Sequence, residues 1–106
     1  MKQIIAIVKP IVVEKVVQSL AGEPIVELVI REAKGFSRQK SYLQEYDDNE
    51  YSLAFLPKVE ILIWAEEDHV DSIIEKMVPA CRTGRIGDGK ILVVPNVVAV
   101  DQVIEF

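Results

Sequence analysis

The stretch LAFLPKVEILIWAEEDHVDSIIEKMV, residues 53–78, decides the fold. Its first part, 53–64, reads as a strand, and residues 59–64 carry apolar side chains at both odd and even positions. A strand with that pattern is buried on both faces. Residues 66–78 then change period. Glu66, Glu67 and Asp68 place acids in a first turn, where the helix dipole favours them, and Val70, Ile73, Ile74 and Met77 share one face. This is a strand followed by an amphipathic helix, and Pro79 is expected to end or kink that helix.

The same pair occurs upstream. KQIIAIVK (2–9) is a β-rich run, and it reads as a first strand rather than a cleaved leader because no small-residue cleavage site follows. Pro10 opens a helix with Val13, Val16, Val17 and Leu20 on one face, and Gly22 supplies its stop. IVELVIREAK (25–34) is a second strand, KILVVP (90–95) a fourth, and VVAVDQVIEF (97–106) a possible fifth. The order β-α-β, loop, β-α-β predicts one α+β domain over 1–106 with a ferredoxin-like double βαβ sandwich. Right-handed crossovers put both helices on one sheet face. Strands 25–30 and 59–64 are nevertheless apolar on both, so the second face needs a cover. That implies an oligomer in which sheets face one another.

Composition narrows the function. The net charge of −5 argues against general nucleic-acid binding, so a phosphate-bearing ligand would be a small molecule held by local groups. No apolar run approaches the roughly 20 residues of a membrane span. A single cysteine, Cys81, forms no internal disulfide and suits a reducing cytoplasm. It reads as a small buried apolar group rather than a nucleophile.

The candidate chemistry lies in TGRIGDGKI (83–91), which holds Gly84, Gly87 and Gly89 beside Arg85 and Lys90. Glycines allow positive φ and close approach, and successive amides form an anion-binding nest. The spacing is not that of a P-loop, and the run precedes a strand rather than a helix. A plain helix-to-strand turn is the competing reading. KGFSRQK (34–40) is a second candidate. Lys58, a lysine within an apolar strand, is a third: it either snorkels to the edge or pairs with an anion such as a dicarboxylate. Residues 37–52 join strands two and three without periodicity, as functional or disordered connections do.

KGFSRQK, EYSLAFLPKVEI (50–61), TGRIGDGKI and the KP at 9–10 together resemble the motifs of the PII nitrogen-signalling proteins, at matching spacing over residues 1–95. The resemblance implies a homotrimer of ferredoxin-like subunits. ATP or ADP would sit in three intersubunit clefts, and a protruding T-loop (about 37–52) would engage a target transporter or enzyme. The resemblance carries nucleotide contacts onto Gly35, Arg38 and Gln39 and onto the phosphate loop 83–90 through Thr83, Gly84, Gly87, Asp88, Gly89 and Lys90. Arg38 would reach in from a neighbouring chain. Gln39 would help hold Mg²⁺–ATP and 2-oxoglutarate, Lys58 would pair with a 2-oxoglutarate carboxylate, and Tyr51 would be a modification site. Such a protein is a cytoplasmic regulator rather than an enzyme, meeting membranes only through a partner and binding no nucleic acid.

The sequence departs from that family in three places. No residue beyond Lys90 is basic, whereas the family's C-terminal strand carries two phosphate-contacting bases; Asp101 and Val103 lie nearest in the divergent segment 96–106. Residues 45–50 hold four acids, Glu45, Asp47, Asp48 and Glu50, where ammonium-channel blockers carry an arginine. Ser37 and Ser41 stand in for glycines. These differences leave open an alternative: a divergent regulator of another membrane transporter, for example one exporting metal ions, with altered or lost nucleotide binding.

Overall fold

A computed structural model describes residues 1–36, 55–85 and 88–96. The expected T-loop, Gly87 of the phosphate loop and the possible fifth strand lie outside the described residues.

Strand β1 (Lys2–Val8) leads through a 3-10 turn at Pro10–Val12 into helix α1 (Val13–Ser19). Strands β2 (Glu27–Phe36) and β3 (Phe55–Ala65) follow, then helix α2 (Glu67–Cys81) and strand β4 (Gly89–Val94). The sheet order is β2-β3-β1-β4, with every neighbouring pair antiparallel. This is the α+β, ferredoxin-like arrangement that the double β-α-β pattern predicts.

Alternation along the strands builds the core. Ile4, Ala6 and Val8 of β1 and Val59, Ile61, Ile63 and Ala65 of β3 turn to the helix side and are buried. They form one cluster with Val16 of α1 and Val70, Ile73 and Met77 of α2. Ile4, Ile61, Ile63, Ile73 and Met77 have no measurable exposure; each contributes roughly 1.5–3 kcal/mol relative to an exposed side chain. The turn after α1 takes positive φ at Gly22, the stop the sequence supplies. Glu23 fastens that turn to α2 by accepting from Lys76 Nζ at 2.7 Å and Ser72 Oγ at 3.1 Å.

Element ends differ from the expected ones by one to three residues, as in β2 and β4, and the end of α2 differs for a clear reason. Pro79 does not end α2, which runs two residues further. Ala80 and Cys81 are buried at 5% and 8% exposure. Their apolar contacts hold the last turn despite the missing N–H of proline.

The opposite sheet face has a different composition. Side chains alternate across a strand, so register places Leu92, Ile5, Leu62 and Val29 in one row across the four strands. Val94, Gln3, Trp64 and Glu27 form the row on one side of it; Lys90, Ile7, Glu60 and Arg31 form the row on the other. Arg31 and Glu60 pair across strands at 3.1 Å. The middle row is wholly apolar, and Leu92 at its edge is 47% exposed.

Candidate functional site

The turn between α2 and β4 is built from short polar contacts. Beyond Cys81 the backbone becomes extended at Arg82, and Gly84 takes φ +81°. Asp88 then folds its carboxylate back onto the start of the turn. Oδ2 accepts from the amides of Thr83 at 2.9 Å and Gly84 at 3.2 Å, and Oδ1 accepts from the Thr83 hydroxyl. The Arg85 amide donates to Thr83 Oγ1 at 3.3 Å. Lys9, at the end of β1, donates to the same hydroxyl oxygen at 3.3 Å and lies 3.3 Å from Asp88 Oδ1.

These donors hold the Asp88 carboxyl well below the usual carboxylate range. The Thr83 hydroxyl contributes most, then the Thr83 amide, with partial desolvation opposing them and Lys9 and the Gly84 amide adding to them. Gly89 enters β4 at φ +130°, hard against the β1 backbone, and Lys90 follows opposite Ile7. A cleft of about 390 Å³ lies behind the turn, with Val8, Val78, Cys81 and Ile91 in its wall and Asp88 and Lys90 at its rim. Burial pushes the Cys81 thiol up, and the Asp88 charge pushes it further, so the cysteine is poorly suited to nucleophilic work.

A second cleft, of about 470 Å³, opens where β2 and β3 leave the body, lined by Pro10, Glu32, Lys34, Pro57, Lys58 and Val59. Lys58 stands opposite Ala33 and is half-buried. Desolvation and then the Lys9 charge hold its ammonium below the ordinary lysine value, while Asp88 works in the opposite direction. The charges of Lys9 and Asp88 are thus both felt at Lys58.

Of the residues the sequence singles out, Thr83, Gly84, Asp88, Gly89 and Lys90 come together in one turn, with Lys58 nearby. Gly35 lies further along the β2–β3 hairpin, opposite Leu56. Arg38, Gln39, Tyr51 and Gly87 lie outside the described residues. Sequence reasoning missed Lys9 as a member of the turn. A contact between residues 79 positions apart leaves no local pattern, although the basic residue at the end of β1, before Pro10, was visible. Among the described residues no group of three or more His, Cys, Asp or Glu is placed to hold a metal ion, and no helix is long and apolar enough to cross a membrane.

The model of the family "Nitrogen regulatory protein P-II" matches residues 1–104. Among similar curated proteins, a nitrogen regulatory protein P-II of Microchaete diplosiphon is 38% identical over 104 residues, covering 98% of this chain and 89% of its own. One from Azospirillum brasilense is 45% identical over 95 residues, covering 90% and 85% of the two chains. The nitrogen regulatory protein P-II 1 of Escherichia coli K12 is 43% identical over 93 residues, covering 88% and 83%. With the double β-α-β sheet and the glycine turn before β4, this agreement over nearly the whole length makes the chain a member of the P-II family of nitrogen regulatory signal-transduction proteins.

Proposed function

We propose that this chain works in the cytoplasm as a homotrimeric regulator that binds an adenine nucleotide in clefts between protomers. It passes the occupancy of those clefts to a target protein through residues 37–52. The observation that carries this reading is the turn at 83–90, held by its own carboxylate and ending in a glycine that admits no side chain. Such a turn holds Lys90 and the entry to β4 in place for an anion without having to reorganise. The apolar row Leu92–Ile5–Leu62–Val29 supports the trimer, since burying it needs a second copy of the sheet.

In this reading Gly87, Gly89 and Lys90 cradle the phosphates, Thr83, Gly84 and Asp88 shape the cleft, Gly35 lines it, and Arg38 arrives from the neighbouring protomer. Gln39 completes the oxygen shell of Mg²⁺ on ATP. Lys58 takes a carboxylate of 2-oxoglutarate, for which a half-buried ammonium beside a cleft is suited. Tyr51 is a site of covalent modification. The protein performs no chemistry on its ligand. Signalling is a population shift, in which the ligand favours one arrangement of residues 37–52 over another.

A second reading keeps the family and changes the partner. Four acids within 45–50 and no base beyond Lys90 favour a regulator of a different membrane transporter, such as a metal-ion exporter, with altered or lost nucleotide binding. Calorimetric titration with ATP, ADP and AMP, each with and without Mg²⁺ and 2-oxoglutarate, separates the two. Tight Mg²⁺–ATP binding strengthened by 2-oxoglutarate supports the first reading. Absence of any nucleotide binding supports the second.

A further inference from the structure

Asp88 stands within a turn read as a seat for phosphate, where a free carboxylate would repel the ligand. Its carboxylate is already engaged: it accepts from the amides of Thr83 and Gly84 and from the Thr83 hydroxyl, and it pairs with Lys9. The two ends of that ion pair are 25% and 24% exposed, so bulk water screens it only in part. Lys9 is the one contact in this set from outside the turn, and it comes from β1, the strand on which β4 is registered. The Lys9 ammonium also donates to Thr83 Oγ1, so it grips both ends of the turn together.

We propose that Asp88 and Lys9 are positioning residues for anion binding. Asp88 supplies the internal anion that closes the turn on itself, and Lys9 latches the closed turn to the end of β1. The amides of Thr83 and Gly84 then serve the turn, which leaves the Lys90 ammonium to meet the ligand. This inference rests on reading 83–90 as the phosphate seat.

The test uses full-length protein and two readouts. Without ligand, amide hydrogen exchange by NMR is followed at Thr83 and Gly84, with Ile61 and Ile63 as core references. Asp88→Ala and Lys9→Met should each speed exchange at the turn about tenfold and leave the core amides unchanged, whereas Lys9→Arg should restore protection. With ADP as the probe, the dissociation constant should rise about tenfold in Asp88→Ala and Lys9→Met and return near wild type in Lys9→Arg. If Asp88→Ala does not fold, Asp88→Asn with Lys9→Met decides the same question. Unchanged exchange at Thr83 and Gly84 overturns the latch, as does ADP binding that tightens when Asp88 is neutralised. If the wild type binds no adenylate, the proposed function fails, while the exchange experiment still decides whether the latch exists.

Discussion

Gly89 lies so close to the backbone of Ile7 that a Cβ at Gly89 would stand 1.9 Å from the Ile7 carbonyl oxygen. Positive φ adds to the restriction, so glycine is required twice over at the entry to β4. Gly89→Ala should cost about 2–4 kcal/mol of stability, because the β1–β4 pairing must shift to admit the methyl group. Gly84 also has positive φ but faces open space, so Gly84→Ala should cost about 1–2 kcal/mol. Urea unfolding of both variants measures the difference. It also means that a loss of ligand binding in a Gly89 variant reports damage to the sheet, and Lys90→Gln is the cleaner probe of the seat.

The core makes a sharper stability prediction. Ile63 is fully buried between β1 and the helices, so Ile63→Ala should lose about 2–5 kcal/mol through lost burial and a residual cavity. Ile11, 83% exposed on the turn after β1, should tolerate alanine within about 0.5 kcal/mol. Equal effects at the two positions in chemical denaturation would contradict the layer assignment.

The Asp88 carboxyl yields a prediction with a definite sign. Its folded pKa is depressed, so its stabilising contribution is present above the unfolded value of about 3.9 and is lost as pH falls through the lower folded value. The Asp88 side-chain carbon resonance should therefore hold its ionised position through pH 4 and move only at more acidic pH. Thr83→Val should raise that midpoint more than Lys9→Met does, because the hydroxyl contact contributes most. A wild-type midpoint near 4 would show that the turn does not close on this carboxylate.

The uncovered sheet face should govern assembly. Leu92→Asp places a charge at the edge of the apolar row beside Ile5 and Leu62, on a side chain that is 47% exposed in the single protomer. Such a change costs the fold little and should reduce the proposed trimer to monomers in light scattering coupled to size exclusion. A variant that stays trimeric places the interface elsewhere.

Much of this was legible in the sequence. Period-two and helical patterns marked the strands and helices, because the alternation that buries Ile4, Ala6 and Val8 is written in the order of residues. Apolar residues at both parities in β3 announced apolar side chains on both sheet faces, and the row through Leu62 is where the second set lies. Of the two outcomes expected at Pro79, an end to the helix did not occur, since a local rule about proline did not weigh the burial of Ala80 and Cys81 at the end of α2. In the turn, the glycines and Lys90 stood out as candidates by type and spacing. The contacts of Asp88 did not, because they depend on how a turn closes and on a lysine that comes near only once β1 and β4 have paired.

In the proposed assembly, adjoining protomers share a seat for an adenine nucleotide. Native mass spectrometry of the wild-type protein with ADP or Mg²⁺–ATP tests it most directly, because assembly and occupancy are read in one spectrum. The expected species has three times the 11.9 kDa protomer mass and takes up as many as three nucleotides, with occupancy reduced at least tenfold by Lys90→Gln. A monomer that binds nucleotide, or a trimer that binds none, would contradict it.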